Sequence, residues 1–408
     1  PGGAPPSAGE ANASSGGGMA GAARGAAAGA PGAAAGPRVA RVFAELAAEV
    51  PFVAPEVLER AAGAPFRARL GANELARGPS PAALAAMRAA CARAGLYGDP
   101  SSEALRGELA RRLRVPERAV WVGSGIDDLM NQVVRLVVEP GDPVVSSRGG
   151  YPTFDFHVRA SGGRLVHVPY RPDFVQDLPA LGAAAREARA KLVYVSNPDN
   201  PMGTWNSGAA IQELLDRHLP GDCMLLLDEA YAEFAPQGAV LPYADPTSDP
   251  RLVRLRTFSK AYGLAGSRIG YGVACPEAVV GHIHKFRQHF GVNGVAQAGA
   301  LASLLDVDGR LGEVVADNRR GREQYAALCD RLGLGHLASG ANFVAIDLGS
   351  EPRASALLEA LRTRGVWVRK PGVPPLDRFV RVSVGSEAER QVFEEELPGA
   401  LEDIAGLA

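Results

Sequence analysis

The chain has 408 residues, of which 47% are hydrophobic and 22% charged, so it is long enough to bury a large core and to divide into two domains. Its 43 basic and 45 acidic residues leave a formal charge of -2, which provides no basic field for nucleic acid or an anionic membrane. No apolar run approaches the roughly 20 residues that a bilayer-spanning helix requires. We therefore predict a protein of small-molecule chemistry, with no nucleic-acid or membrane partner.

The four cysteines are scattered along the chain, without a CxxC pair and without a histidine spacing that is typical of zinc sites. This usage predicts a reducing compartment, a cytoplasmic location and no bound metal. The cysteines are Cys91, Cys223, Cys275 and Cys329.

The first 37 residues consist almost entirely of Ala, Gly, Pro and Ser, a composition that buries too little apolar surface to fold. We predict a disordered tail at 1–37. Arg24 and Arg38, with almost no acidic residues around them, also fit a weak organelle-targeting segment, although there is no apolar stretch for secretion.

Residues 38–79 are predicted to form an N-terminal segment that packs on the smaller domain, beginning with a helix at VARVFAELAAEV. Helical and strand-like segments alternate from Ser80. Ser80 is the predicted cap of the helix PAALAAMRAACARAG, with proline in its first turn and Gly95 at its end. SSEALRGELARRLRV is a second amphipathic helix with a serine cap.

Short apolar runs then recur between helices, which predicts an α/β fold with a mostly parallel sheet covered by helices on both faces. Ligands of such sheets bind at the carboxyl ends of the strands. We assign 80–290 to this large domain and 291–408 to a smaller α/β domain with short antiparallel strands. The runs of the large domain are AVWVG, DPVVSS, RLVHVPY, KLVYVS, CMLLLDEA, LVRLRTFS and RIGYGVA.

Polar residues at the ends of these runs are candidates for chemistry. Asp228 ends CMLLLD, where one carboxylate suits a cation or a protonated ring nitrogen, although aspartate is also a common helix cap. GSG before an apolar helix leaves backbone N–H groups that suit an anion, and SNPDNPMGTW is a rigid turn with free amides. Lys260 lies among small and hydroxyl-bearing residues, which suits a buried, reactive amine.

Together these segments resemble the pyridoxal-phosphate (PLP) aminotransferases of fold type I, and among them the histidinol-phosphate aminotransferase-like branch. The resemblance extends from about residue 68 to 400, with its motifs in the family's order. They are LGANE, GPSPAAL, LYGDP, GSGIDD, GGYPTF, SNPDNPMGT, LLLDEAYAEF, RTFSKAYGLAGSRIGY, KFRQHFGVN, ANFVAI and FVRVSVG.

The resemblance implies roles for four residues around the cofactor ring. Lys260 matches the lysine that binds the cofactor covalently and then moves a proton between the substrate Cα and the cofactor C4′. Asp228 matches the carboxylate that keeps the pyridinium nitrogen protonated. Tyr231 and Asn200 match the groups that contact the 3′-oxygen.

The cofactor phosphate has a second implied set of ligands. Thr257, Ser259 and Arg268 match the family's hydroxyls and guanidinium, and Ser124 and Gly125 match its helix-start amides.

Three further positions complete the implied site. Tyr151 matches the aromatic residue that stacks on the cofactor ring, and Arg381 matches the clamp on the substrate α-carboxylate. Tyr97 matches a tyrosine that reaches a neighbouring subunit's phosphate, so the resemblance implies a homodimer. Gly98 stands where the family has proline after this tyrosine.

Two motifs depart from the family pattern on the substrate side. NELAR at 73–77 replaces NENP, and RQHFGVN at 287–293 replaces RPPFNVN, so the cofactor site is intact while the rim is changed. His289 and Trp205 are candidates for this rim, with ordinary packing as the alternative.

The function that the resemblance implies is transfer of an amino group between an amino acid and a keto acid or phosphorylated ketone. Decarboxylation of a phosphorylated amino acid or oxidation of a basic one uses the same fold and cofactor, and the motifs do not separate these reactions. A non-catalytic ligand sensor is a third alternative, but the first 40 residues contain no helix-turn-helix pattern and no basic excess.

Overall fold

The computed structural model describes residues 38–44, 46, 53–241, 249–306 and 309–407. The tail predicted at 1–37 lies outside these residues, as does most of the predicted N-terminal helix beyond Ala44. Arg41–Ala408 forms one compact unit, and of the other, Pro1–Ala40, only 38–40 are described. Within the described ranges, no helix combines the length and apolar character that crossing a bilayer requires.

The strands follow the predicted apolar runs closely. They are β1 (Ala68–Arg69), β2 (Val120–Gly123), β3 (Pro143–Ser147), β4 (Arg164–Val168), β5 (Leu192–Ser196), β6 (Met224–Asp228), β7 (Leu252–Thr257), β8 (Gly270–Ala274), β9 (Gly335–His336), β10 (Phe343–Asp347), β11 (Val366–Trp367) and β12 (Phe379–Ser383).

The α-helices lie between these strands. They are α1 (Arg41–Ala44), α2 (Pro55–Ala62), α3 (Pro81–Cys91), α4 (Glu103–Leu113), α5 (Ile126–Val137), α6 (Pro152–Ala160), α7 (Leu178–Ala188), α8 (Gly208–Glu213), α9 (Gly281–Ile283), α10 (Gly294–Leu305), α11 (Arg310–Arg331), α12 (Glu351–Thr363) and α13 (Glu387–Asp403).

The seven predicted runs form one sheet in the order β2-β8-β7-β6-β5-β3-β4. Every pairing in it is parallel except those of β8, which runs antiparallel to both β2 and β7. The prediction of a mostly parallel sheet is therefore confirmed. Its central strands end side by side, which brings the residues after β5, β6 and β7 to one edge.

Both faces of the sheet are buried, as continuous apolar strands predict. Leu192 and Leu226 pack with Leu129 and Phe154 in one apolar cluster. Their chain neighbours Val193 and Leu225 point to the opposite face, because strand side chains alternate, and belong to a second cluster. That cluster also contains residues of α7 and α8, namely Leu181, Ala185 and Ile211.

The two predicted helix caps differ in outcome. Ser80 caps α3 as predicted, since its side chain accepts a hydrogen bond from the Ala83 amide (3.1 Å). Ser102 precedes α4 with φ 50°, outside the extended region of a capping serine, and makes no such bond. Asp99 takes its place and accepts from the Glu103 amide at 2.6 Å.

The C-terminal strands form two small sheets. β12, β10 and β9 are antiparallel as predicted, whereas β11, within GVWVRK, pairs in parallel with β1 of the N-terminal segment. Leu70 next to β1 is fully buried and belongs to the same apolar cluster as Leu357 and Val382. These contacts join residues 68–70 to the C-terminal part of the chain.

The domain boundaries at 38–79, 80–290 and 291–408 stay a prediction. The packing of helix α10 argues against a boundary at residue 291. Ala296 and Ala300 of this helix pack in one cluster with Val122 and Phe258 of the large-sheet region. We therefore propose that the smaller domain begins after residue 306 rather than at 291.

A buried network of ion pairs begins at the residue that follows β6. Glu229, 1% exposed, accepts from Arg254 Nη2 at 2.7 Å, from Arg254 Nε at 3.0 Å and from Arg256 Nε at 3.2 Å. Burial raises the pKa of Glu229, but the two arginines outweigh it and hold this pKa below its ordinary value.

We expect Glu229→Gln to lower the free energy of unfolding by about 3 kcal/mol, because it removes the carboxylate that the buried Arg254 and Arg256 share. Urea titration at pH 7 measures the change. The control is Glu213→Gln, which removes an exposed i,i+4 pair with Arg217 and is expected to cost less than about 0.5 kcal/mol. Equal midpoints for the two variants would contradict this account.

The stabilisation by this network also depends on pH. Because folding lowers the pKa of Glu229, the network contributes fully to the free energy of unfolding above the ordinary glutamate pKa of 4.5. This contribution is lost as the pH falls through the pKa of Glu229 in the folded protein.

Candidate active site

A cavity of about 1240 Å³ opens at the carboxyl edge of the large sheet. Asp228 ends β6, Thr257 ends β7, and Asn200 follows β5. The structure brings nine of the twelve predicted site residues to the wall of this cavity. They are Tyr151, Asn200, Asp228, Tyr231, Thr257, Ser259, Lys260, Arg268 and Arg381.

Lys260 has surroundings that favour a neutral amine. Its Nζ donates to the Ala72 carbonyl at 3.4 Å and lies 5.8 Å from the centroid of the Tyr231 ring. Among the described residues, no carboxylate lies within 4.0 Å of it. Burial lowers the pKa of Lys260 to about 8, and the Arg381 guanidinium acts in the same direction. A larger fraction of this amine than of an ordinary lysine is therefore unprotonated near neutral pH and able to attack an aldehyde or take a proton.

Asp228 is a buried carboxylate, 4% exposed, whose partners are neutral donors. The Tyr194 hydroxyl donates to Oδ2 at 2.8 Å and the Ala230 amide donates to Oδ1 at 3.0 Å. Within the described part of the chain, no Lys, Arg or His nitrogen lies within 4.0 Å of either oxygen. Burial raises the pKa of Asp228 to about 6. A buried carboxylate without a protein cation fits a ligand that brings its own positive charge, such as a protonated pyridine nitrogen.

Arg381 also lines the cavity. Its Nη1 donates to Asn200 Oδ1 at 2.7 Å and its Nη2 donates to the Gly71 carbonyl at 2.9 Å, while the buried Nε has no partner among the described residues. The arginine therefore contacts one of the residues predicted for the 3′-oxygen and retains a donor. A buried guanidinium N–H without an acceptor fits an anionic ligand group.

The position of the Arg268 side chain requires a glycine at position 125. Gly125 has φ 89°, and a Cβ added there would lie 2.6 Å from Arg268 Nη2. Only glycine leaves room for the guanidinium in this position. Thr257 Oγ1 donates to Ser259 Oγ at 2.9 Å and accepts from the Ser259 amide at 3.0 Å, so both hydroxyls sit at one end of the cavity.

Ser124 and Gly125 are not among the residues that line the cavity, and their amides have acceptors within the protein. The Ser124 amide donates to Asp128 Oδ2 (2.8 Å), its hydroxyl donates to the Gly291 carbonyl (2.5 Å), and the Gly125 amide donates to the Gly123 carbonyl (2.8 Å). Ile126 and Asp127 begin α5, line the cavity and have no intrahelical acceptor. We assign the helix-start role to these two amides.

Two tyrosines of the predicted site have different settings. Tyr151 precedes α6, lines the cavity and donates from its hydroxyl to Asp127 Oδ1 at 3.0 Å, which holds its ring at the wall. Tyr97 lies outside the cavity, 84% exposed, with its ring centroid 4.6 Å from that of Phe290. Gly98 after it lies against Gly294, whose backbone would be 3.2 Å from an added Cβ, so a larger residue requires Gly294 to shift by a few tenths of an ångström.

The predicted rim residues Trp205 and His289 are not among the residues that line the cavity. Several basic residues that sequence reasoning missed line the cavity instead. Arg369 follows β11 and faces Arg381 across a two-residue bridge, in which the Arg381 amide donates to the Arg369 carbonyl (2.6 Å). The other basic residues of the wall are Arg148, Arg159, His167 and Lys370.

Two more residues of the site were missed. Tyr194 places a hydroxyl group within the otherwise aliphatic strand KLVYV. A buried hydroxyl usually has a hydrogen-bond partner, and this is the signal that the sequence offered. Asn73, part of the altered NELAR motif, is 2% exposed and donates from Nδ2 to the Tyr231 hydroxyl oxygen at 2.9 Å.

Comparison with known proteins gives one consistent result. Residues 68–397 match the family described as aminotransferase class I and II. The chain is 37% identical over 357 residues to a histidinol-phosphate aminotransferase of Symbiobacterium thermophilum, an alignment that covers 86% of this chain and 95% of that one. A histidinol-phosphate aminotransferase of Anaeromyxobacter sp. is 38% identical over 357 residues, with 87% and 96% covered.

Solved structures agree with these relatives. The crystal structure of histidinol-phosphate aminotransferase from Sinorhizobium meliloti in complex with pyridoxal-5′-phosphate superposes with a TM-score of 0.86 at 42% identity, covering 91% of this chain and 99% of that chain.

Proposed function

Because this chain belongs to the aminotransferase class I and II family, we propose that the amino group it transfers is that of a phosphorylated amine of the histidinol-phosphate type, with a keto acid as the other substrate. The chain is a PLP-dependent aminotransferase of fold type I that acts on small molecules. What we propose in addition is that the amino donor is a phosphorylated amine.

The pair Arg369 and Arg381 carries the proposal. The two arginines lie on adjacent backbone segments and both line the cavity. A single guanidinium suffices for a carboxylate, whereas a phosphate monoester, as a dianion with three terminal oxygens, suits two. Arg381 alone then suits the carboxylate of the keto acid. The relatives named histidinol-phosphate aminotransferase, at 37% and 38% identity, support the same substrate class.

The residues present fit PLP, which when bound supplies an electron sink for the carbanion at the substrate Cα. We propose that Lys260 Nζ would bind the cofactor and would then serve as the base that takes and returns the proton of the substrate Cα. Asp228 would keep the ring nitrogen protonated. Arg268, with the amides of Ile126 and Asp127, would hold the cofactor phosphate, and Tyr231 would donate to the 3′-oxygen.

We expect histidinol phosphate to be a much better amino donor than unphosphorylated histidinol, and Arg369→Gln to reduce that preference. Loss of one charge-assisted contact to phosphate corresponds to a decrease of about 10- to 100-fold in kcat/KM for the phosphorylated donor. Steady-state kinetics with both donors and a keto acid measures this. Arg362→Gln is the control, because Arg362 pairs with Glu359 on the surface.

Equal kcat/KM values for the two donors in the wild-type protein would reject the phosphorylated amine while leaving the aminotransferase assignment intact. Release of carbon dioxide from a phosphorylated amino acid, which carries the carboxylate that these two donors lack, or consumption of oxygen with a basic amino acid would favour the decarboxylase or oxidase alternatives. Among the described residues of the cavity, no contact favours either of them.

We also propose that the enzyme is a homodimer. The exposed pair Tyr97 and Phe290, with Leu96 beside it at 73% exposure, forms an apolar surface patch that a second copy would cover. The four cysteines are free thiols, which supports the cytoplasmic location that we propose.

A further inference from the structure

Four consecutive residues, Leu70 to Asn73, each contact a different part of the site, and the last two of them line the cavity. The Ser383 amide donates to the Leu70 carbonyl at 2.8 Å. Arg381 donates to the Gly71 carbonyl at 2.9 Å, and Lys260 donates to the Ala72 carbonyl at 3.4 Å. Asn73 reaches Tyr231. The segment thus joins the C-terminal strand β12 to the residues proposed to bind the cofactor.

Asn73 is held rigidly in this segment. It has φ 54°, a left-handed conformation that asparagine tolerates better than most residues. Its amide donates to Ser383 Oγ at 2.8 Å, and its carbonyl accepts from Asn342 Nδ2 at 3.0 Å. Both contacts come from the C-terminal part of the chain, so the position of Asn73 is set there.

The direction of each hydrogen bond follows from counting protons. Ser383 Oγ accepts the Asn73 amide and gives its single proton to Asn73 Oδ1 at 3.0 Å. The carboxamide therefore turns its NH₂ toward Tyr231, whose oxygen accepts at 2.9 Å. With an acceptor position of its oxygen occupied, the Tyr231 hydroxyl keeps its own proton for another partner, and Tyr231 lines the cavity.

We propose that Asn73, itself oriented by Ser383, is a positioning residue that makes Tyr231 a hydrogen-bond donor toward the 3′-oxygen of the cofactor. This inference rests on the proposed place of the cofactor in the cavity. A hydrogen bond donated to the 3′-oxygen stabilises its anionic form and so lowers the pH at which the linkage between Lys260 and the cofactor loses its proton. Asn73 thereby tunes that pH without touching the cofactor.

The pH dependence of the bound cofactor's visible absorption tests this role. Asn73→Ala is expected to raise the midpoint of the titration by about one pH unit, which is comparable to losing one hydrogen bond to a charged group. Asn73→Asp is expected to raise it further, because a carboxylate accepts the Tyr231 proton and turns the phenol away from the cofactor. Ser383→Ala, a smaller change, shifts it in the same direction.

The double variant separates orientation from packing. Tyr231→Phe is expected to raise the midpoint by itself, and adding Asn73→Ala to Tyr231→Phe is expected to change it no further. Asn318→Asp, a buried asparagine on α11, is the matched control and leaves the midpoint unchanged. If the Asn73 variants do not fold, Ser383→Ala and Tyr231→Phe give the same comparison.

Unchanged midpoints in Asn73→Ala, Asn73→Asp and Ser383→Ala, with Tyr231→Phe shifted, would overturn the inference. An additive shift in the double variant would do so as well, because Asn73 would then act independently of Tyr231. A wild-type protein that shows no pH-dependent absorption after incubation with PLP would instead reject the proposed cofactor site, so the two failures are distinguishable.

Discussion

Lys260→Ala is expected to lower amino-group transfer by at least about 10⁴-fold, since it removes both the covalent attachment of the cofactor and the base that moves the Cα proton. The physical reason is local. Lys260 Nζ has one weak hydrogen bond, to the Ala72 carbonyl, and its pKa is lowered to about 8 by burial, so the amine is available for reaction. An ordinary surface lysine, with a pKa of about 10.4, is almost entirely protonated at pH 7.

Borohydride reduction followed by peptide mass spectrometry checks this prediction together with the rate. The wild-type protein is expected to retain a reduced cofactor on the peptide that contains Lys260, and the variant to retain none. Lys191→Ala, at an exposed lysine before β5, is the control and keeps both activity and label. A covalent adduct in the Lys260→Ala protein would show that another amine binds the cofactor.

The second large effect is expected for Asp228→Asn. The substitution keeps the shape but removes the negative charge from a site whose partners, Tyr194 and the Ala230 amide, are neutral. Breaking a buried ion pair costs about 3 to 5 kcal/mol, which corresponds to a loss of roughly 10²- to 10⁴-fold if it is felt in the transition state. We expect kcat to fall within that range and the affinity for PLP to fall as well.

Single-turnover kinetics and a cofactor titration by fluorescence measure the two effects of Asp228→Asn. Asp222→Asn, at an exposed position just before β6, leaves both unchanged. If Asp228→Asn kept its turnover, the ring nitrogen would have another partner, and the role of this carboxylate would have to be abandoned.

Much of the fold was predictable because each buried strand is marked by a short apolar run. KLVYV and CMLLLD became β5 and β6, and their alternate residues pack on opposite faces. The parallel pairing of β11 with β1 was not predictable, because two-residue strands carry no periodicity and their partners are about 300 residues apart.

The residues of the candidate site also differ in how far the sequence could predict them. Residues within long motifs, such as Lys260 and Arg268, were placed at the cavity because the motif fixes both identity and spacing. The role predicted for the Ser124 amide stays a prediction, and the sequence could not show that this amide donates to the Asp128 side chain. Asn73 and Arg369 were missed because each meets its partner only after distant segments pack together.

The most direct test of the account follows the cofactor through one half-reaction. PLP-loaded protein is mixed with a single amino donor, histidinol phosphate, in the absence of any keto acid, while the visible absorption and the products are recorded. We expect loss of the visible absorption in a single turnover, with one equivalent each of pyridoxamine phosphate and the matching phosphorylated ketone per active site. An absorption that persists, or consumption of oxygen without formation of pyridoxamine phosphate, would contradict this expectation.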